Sequence, residues 1–188
     1  MTTLYRKINV PDLELLQDQL LTLVPQDMYT NSKLYFPPDQ SKFFKIKELV
    51  NLLDMYNLKH DITNFALYVM EPFKVSTVHI DWANTAYSMN IPIANCDNTF
   101  TSFYNADKEP AAVPAKVIRG ITYNPHYSFD GIGLNLIDQF ESNIPCIMHI
   151  KTPHNVVNEN SKFRINLLIR NWDNDHMSSL LKGGSPAI

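Results

Sequence analysis

His79-Ile80-Asp81 is the one place in the 188-residue chain where a histidine has a carboxylate two residues on. In a strand, residues i and i+2 point to the same face. The imidazole of His79 and the carboxylate of Asp81 would then converge on one point, with Ile80 turned to the opposite layer. A divalent metal held by two imidazoles and one carboxylate needs such a pair plus a distant histidine. A facial set of that kind leaves up to three coordination positions open for a cosubstrate and O₂.

Two histidines compete for the third position. His154 follows Thr152-Pro153 at the mouth of a turn and starts the run Asn155-Val156-Val157. His149 lies inside the apolar run Cys146 to Ile150. Arginine separates them. The chain has four, Arg6, Arg119, Arg164 and Arg170, and Arg164 stands ten residues after His154 on the next apolar run. A hairpin turning at Asn158 to Ser161 would bring Arg164 back alongside His154. A planar guanidinium binds a carboxylate in bidentate fashion, which suits a semi-buried slot.

These residues need a scaffold of short strands. Residues 11 to 24 predict a helix, with Pro11 at its first position and Leu13, Leu16, Leu20 and Val24 at helical spacing. A second helix is expected from Ser41 to Tyr56, capped by Asp39 or Ser41. Beyond Asp61 the texture changes to short runs rich in β-branched and aromatic residues, bounded by Pro, Asn and Asp. They span 65–70, 75–81, 86–93, 99–104, 117–123, 146–151 and 163–170. Residues 106–116 read as a surface loop, and 133–142 as a strand or one helical turn. This pattern predicts a mainly β protein, an all-β sandwich or jelly roll with N-terminal helices packed on the outside. A single domain is expected over 1–188: a helical cover (1–60), a jelly-roll core (61–172) and a tail (173–188).

His79-x-Asp81, then His154, then Arg164 resembles the Fe(II)- and 2-oxoglutarate-dependent oxygenases, whose fold is a double-stranded β-helix, a form of jelly roll. The likeness covers roughly residues 62 to 172. The runs Tyr87 to Cys96 and Thr99 to Tyr104 also resemble a branch of that superfamily common in marine phage and bacterial sequences. The resemblance implies Fe(II) on His79, Asp81 and His154, and a 2-oxoglutarate whose far carboxylate meets Arg164. It also implies O₂ as cosubstrate and hydroxylation of a small molecule or a protein side chain as the default outcome. Asn90 and Tyr104 fall on strands that face the cosubstrate in that family. Two alternatives stand beside it. One is a cupin-like metal enzyme, although cupins typically carry H-x-H and a glutamate in a glycine-flanked motif. The other is a non-catalytic structural or assembly jelly roll.

Plainer roles account for the other candidates. His149 reads as a core residue or one lying behind the ligands, and Arg170 as a salt bridge at the rim, on the face that it shares with Arg164. His126 reads as a loop residue, and His60 and His176 as solvated. Trp82 either walls the substrate pocket or packs. Lys42, Lys45 and Lys47 read as the solvated face of the second helix.

Composition narrows the field further. The chain has five glycines, of which Gly120, Gly131 and Gly133 lie in its body. It contains neither a Walker A loop nor a G-x-G-x-x-G turn, so no glycine-rich loop wraps a phosphate. Nineteen asparagines are available to take left-handed turn positions that glycine usually takes. A net charge of −3 gives no electrostatic reason to expect nucleic acid. No apolar stretch approaches a membrane span, and the N-terminus lacks the apolar region of a signal peptide. Cys96 and Cys146 are expected reduced and buried, in a cytoplasmic setting. A homodimer is left open.

Overall fold

The computed structural model describes residues 3–30, 32–58, 64–81, 85–114, 116–118, 121–123, 126–129, 133–170 and 173–183. The strands in chain order are β1 (Tyr5–Lys7), β2 (Lys33–Tyr35), β3 (Asn64–Met70), β4 (Lys74–Val75) and β5 (His79–Asp81). They continue with β6 (Tyr87–Ala94), β7 (Thr99–Ala106), β8 (Ala111–Val113), β9 (Lys116–Ile118) and β10 (Ile121–Tyr123). The last five are β11 (His126–Ser128), β12 (Leu134–Glu141), β13 (Cys146–His149), β14 (His154–Asn158) and β15 (Arg164–Arg170). The helices are α1 (Leu13–Leu21), α2 (Lys47–Met55) and α3 (Asn174–Leu181).

Two antiparallel sheets face each other, the jelly-roll architecture expected. The first has the order β1-β13-β6-β15-β3-β2; the second runs β12-β7-β14-β5-β11-β8, with β4 also paired to β14. Among the described residues, β9 and β10 pair with each other as a separate two-stranded sheet.

Period-two alternation on the first sheet decides where the core lies. On β15, Ile165, Leu167 and Ile169 are fully buried. They pack with Phe65, Leu67 and Val69 of β3 and with Met89 and Ile91 of β6. Leu16 and Leu20 of α1, Leu49, Leu52 and Leu53 of α2, and Leu180 of α3 complete this cluster. The main core is therefore on the outer face of the first sheet, beneath the helices. A smaller cluster of Phe103, Phe140, Cys146, Met148 and Ile150 closes one end of the space between the sheets.

Several local expectations are corrected. Residues 1–60 are not a purely helical cover: β1 and β2 form the two edges of the first sheet. α1 starts at Leu13 rather than Pro11, with Asp12 as its N-cap in the left-handed region (φ 51). The second helix is broken at Ile46, whose extended backbone (ψ 106) separates a 3₁₀ segment, Gln40–Lys45, from α2. Asp39 does cap that segment, accepting from the Ser41 N–H. The loop 106–116 contains β8, 133–142 resolves as strand β12, and His126 sits on β11 rather than in a loop. The tail at 173–188 contains α3, which buries Met177, Leu180 and Leu181. The Asp173 carboxylate caps it, accepting from the N–H groups of Asp175 and His176. His176 is not simply solvated, because its Nε2 lies 2.7 Å from the Tyr56 carbonyl oxygen.

Asparagine serves the turns as anticipated. Asn57, Asn95 and Asn98 all lie near φ 53, and Gly133 is at φ 75.

Candidate metal centre

β14 lies between β7 and β5 in the second sheet, and β5 and β14 carry the three candidate ligands. His154 pairs with His79 on β5 and with Phe103 on β7. His79 and Asp81 share the inward face at i and i+2, as the spacing predicts. One ligand atom each from His79, Asp81 and His154 falls within 4.8 Å of the others, so a single ion can be shared by all three. The imidazole centroids of His79 and His154 are 4.5 Å apart. His79 Nε2 is 3.7 Å from Asp81 Oδ1.

Each imidazole is oriented from behind. His79 Nδ1 lies 2.8 Å from the Thr77 carbonyl oxygen, and His154 Nδ1 lies 2.9 Å from that of Thr152. A carbonyl only accepts, so Nδ1 carries the hydrogen and the lone pair of the neutral ring sits on Nε2. Such a backing bond fixes both tautomer and ring orientation for metal ligation. Burial, reinforced by neighbouring His79, pushes the His154 pKa down to about 4, so the ring is neutral at pH 7. Burial of Asp81 opposes its ionisation, but Arg170, with His79, His154 and Lys151, outweighs it and holds the carboxyl below its ordinary value. Two imidazoles and one carboxylate form a donor set suited to a first-row divalent metal.

The ligands open onto a cavity of about 140 Å³ between the two sheets. That is close to the roughly 150 Å³ of a cavity able to accept a benzene-sized guest. Its other wall is the inner face of the first sheet. Tyr68 of β3, Asn90 of β6, and Arg164, Asn166 and Arg170 of β15 line it. Arg170 Nη2 donates to Asp81 Oδ2 at 2.8 Å. Arg164 Nε, Asn166 Nδ2 and Arg170 Nε are buried and have no hydrogen-bond partner among the described residues. All three are donors on alternate positions of one strand that line one cavity. Burying an unpaired donor costs about 1–3 kcal/mol, so a cavity with three of them is matched to a ligand rich in acceptor oxygens.

The route by which Arg164 arrives differs from expectation. β14 and β15 do not form a hairpin; β14 belongs to the second sheet and β15 to the first. The turn between them carries the chain from one sheet to the other. Arg164 consequently faces His154 across the cavity rather than from the adjacent strand. Asn158 anchors that turn: its Nδ2 donates to the Glu71 carbonyl at 2.8 Å and to the Lys162 carbonyl at 3.0 Å.

Asn90 lines the cavity as expected. Its Nδ2 donates to Met148 Sδ, and its Oδ1 accepts from Ser88 Oγ at 2.7 Å. Tyr104 does not. On β7, Thr101 lines the cavity and Phe103 packs into the core between the sheets, so Tyr104 has the opposite parity. Its hydroxyl instead donates to Asn155 Oδ1 at 3.3 Å on the outer face of the second sheet. A slip of one residue turns a side chain outward.

His149 lies off the cavity; its Nδ1 is 2.8 Å from Thr152 Oγ1. Arg170 does form a salt bridge, but on a candidate ligand inside the site rather than at the rim. Tyr68 and Asn166 were absent from the expected site. The alternation of polar and apolar residues along Arg164 to Arg170 was the available signal for Asn166. Trp82 and His60 lie outside the described residues.

No family model and no curated protein sequence matches the chain. Solved structures do. AviO1 from Streptomyces viridochromogenes aligns over 92% of this chain and 90% of its own, at 14% identity and a TM-score of 0.52. This similarity shows a shared fold. SnoK, a non-heme α-ketoglutarate-dependent carbocyclase from nogalamycin biosynthesis, covers 100% of this chain and 90% of its own, at 12% identity and a TM-score of 0.48. HygX from Streptomyces hygroscopicus, solved with nickel and 2-oxoglutarate bound, covers 89% and 82% at 11% identity and a TM-score of 0.47.

Proposed function

We propose that this protein is an Fe(II)- and 2-oxoglutarate-dependent oxygenase. His79, Asp81 and His154 hold the iron, each histidine through Nε2 and the aspartate through Oδ1. The observation that carries the reading is the row of unpartnered buried donors on β15, Arg164 Nε, Asn166 Nδ2 and Arg170 Nε. They line the same cavity as the three candidate ligands. A dicarboxylate with an added keto oxygen supplies the acceptors these donors lack. A metal enzyme working without such a ligand would leave Arg164 buried, charged and without a role.

When bound, the ferrous ion and 2-oxoglutarate supply the oxidising power, with O₂ as oxidant and succinate and CO₂ as products. The chain's own residues do the positioning. Arg164 receives the far carboxylate, and the Tyr68 hydroxyl stands on the neighbouring strand as a further donor. Arg170 holds the second oxygen of Asp81, leaving the first for the metal. Thr77 and Thr152 carbonyls hold the imidazoles in the ligating tautomer. Asn90, kept in place by Ser88 and Met148, borders the cosubstrate from β6. The two sheets exclude bulk water from the cavity floor. The reaction is hydroxylation of a C–H bond in a small molecule or a protein side chain. A cytoplasmic setting accords with two free, buried cysteines.

The test is calorimetric titration of the metal-free protein with Mn(II), then with 2-oxoglutarate, followed by succinate measurement with Fe(II) in air. One metal per chain, abolished by His79→Ala, and 2-oxoglutarate binding that depends on the metal are expected. A metal-loaded protein that fails to bind 2-oxoglutarate would overturn the proposal.

A further inference from the structure

Each candidate imidazole is held by one carbonyl behind it, but the backbone of Asp81 is held by a longer route. β5 has three residues and is in register with β14 at one position, His79 with His154. Asp81 stands two residues on and finds its backbone partner outside β14. Its N–H donates to the Ile150 carbonyl at 3.2 Å, in the turn between β13 and β14. The Ile150 N–H donates to the Ala86 carbonyl at 2.8 Å. The Ala86 N–H donates to the side-chain Oδ1 of Asn174 at 2.9 Å. Three hydrogen bonds thus run in series from a candidate ligand to the first residue of α3. Ile150 and Ala86 are each gripped at both N–H and C=O, and bonds arranged in series strengthen one another.

α3 is a firm end for this series. It buries Met177, Leu180 and Leu181 against the main core. The Leu180 carbonyl accepts from Arg6 Nη1 at 2.6 Å. Asn174 Oδ1 also accepts from the buried Thr85 hydroxyl at 3.1 Å. An amide oxygen has two lone pairs, and both are used on consecutive residues. Asn174 is not needed to start the helix, because Asp173 already caps it. Its side chain is committed instead to the strand that follows the ligand. A second tie lies nearby in the chain: Arg170, which holds Asp81 Oδ2, stands three residues before Asp173.

We infer that Asn174 is a positioning residue for the metal centre: by fixing Ala86, and through it Ile150, it sets where the backbone of Asp81 stands. This rests on the reading of His79, Asp81 and His154 as metal ligands. It goes beyond that reading in making α3, which contributes no ligand, part of the support of the centre.

The experiment titrates the metal-free full chain with Mn(II) by calorimetry, at a temperature where circular dichroism shows each variant folded. Asn174→Leu removes the acceptor at similar volume and leaves the Asp173 cap and the buried face of α3 in place. It is expected to raise the Kd for Mn(II) about three- to tenfold, the range of energetic coupling through a contiguous network. Asn174→Asp keeps an acceptor oxygen and is expected to stay within twofold of wild type. Leu167→Ala, which loosens the main core away from the series, is expected to leave the Kd unchanged. An Asn174→Leu protein within twofold of wild type would overturn the inference. So would Asn174→Asp as weak as Asn174→Leu, or an equal loss in Leu167→Ala.

A second measurement needs no variant. Coupling is reciprocal, so bound metal must steady α3 in return. Hydrogen exchange of the wild-type protein, read by mass on peptides covering residues 174–182, is expected to slow on adding Mn(II). Protection confined to the peptide that carries Asp81 would overturn the inference. A wild-type protein that takes up no Mn(II) fails the reading of the centre and this inference with it. Wild-type uptake with an indifferent Asn174→Leu fails the inference alone.

Discussion

Arg170 Nη2 and Asp81 Oδ2 lie 2.8 Å apart, bridging the two sheets of the jelly roll. The pair divides the carboxylate. One oxygen is held by the guanidinium, and the other faces the imidazole of His79 at 3.7 Å. A group that positions a metal ligand from behind typically changes metal affinity 10- to 100-fold when removed. Arg170→Ala is expected to weaken Mn(II) binding by about that factor while far-ultraviolet circular dichroism stays unchanged. An affinity within twofold of wild type would remove Arg170 from the centre.

Arg164 lies deeper, on the wall of the cavity opposite the sheet that carries the three ligands. Arg164→Met is expected to leave metal affinity unchanged and to raise the Kd for 2-oxoglutarate about ten- to hundredfold, the weight of a hydrogen bond to a charged group. Separate titrations with metal and cosubstrate read the split. Equal loss of both would mean that the variant has damaged the fold rather than a subsite.

The metal-free protein carries a pH signature. His154 titrates near pH 4 in the folded state because it is buried and faces His79. The ordinary histidine value is about 6.5. Between those values the unfolded chain binds more protons, so stability falls as pH drops through that window, by up to about 3 kcal/mol. Asp81 adds to the loss at lower pH, since its carboxyl is held below its ordinary value. Thermal unfolding from pH 7.5 to 4 should show this slope, and His154→Asn should flatten it. A slope of the opposite sign would contradict the buried, neutral imidazole.

Burial raises the Cys146 thiol to about 12. The thiolate is the reactive species. Iodoacetamide at pH 8 should leave Cys146 unmodified in the native protein and label it in denaturant, read by intact mass and peptide mapping.

Leu167 is fully buried under the helices and has no part in the cavity. Leu167→Ala is expected to cost about 2–5 kcal/mol in urea unfolding without altering metal affinity in the protein that remains folded.

Short-range pattern carried much of this architecture. The i, i+2 relation of His79 and Asp81 placed both side chains on one face, and the apolar runs marked most of the long strands. What it missed depends on pairing between distant segments. The ten residues from His154 to Arg164 read as a hairpin, because nothing local records that the chain changes sheets at Asn158 to Phe163. Tyr104 was assigned inward because strand parity was anchored on no neighbour; its register with Leu136 of β12 and its bond to Asn155 fix it outward. β1 and β2 are three residues each, too short for any period to emerge. Tyr68 looked like one more aromatic strand residue until Arg164 and Met70 were paired across β3 and β15.

Because Ile165, Leu167 and Ile169 anchor β15 on its helical side, the opposite side of the same strand is freed from the duty of holding the molecule together. Substitutions at Asn166 or Leu168 can therefore reshape the cavity while the packing behind them is inherited intact. Such a strand is a natural point of divergence: lineages can drift in chemistry without first surviving a loss of structure.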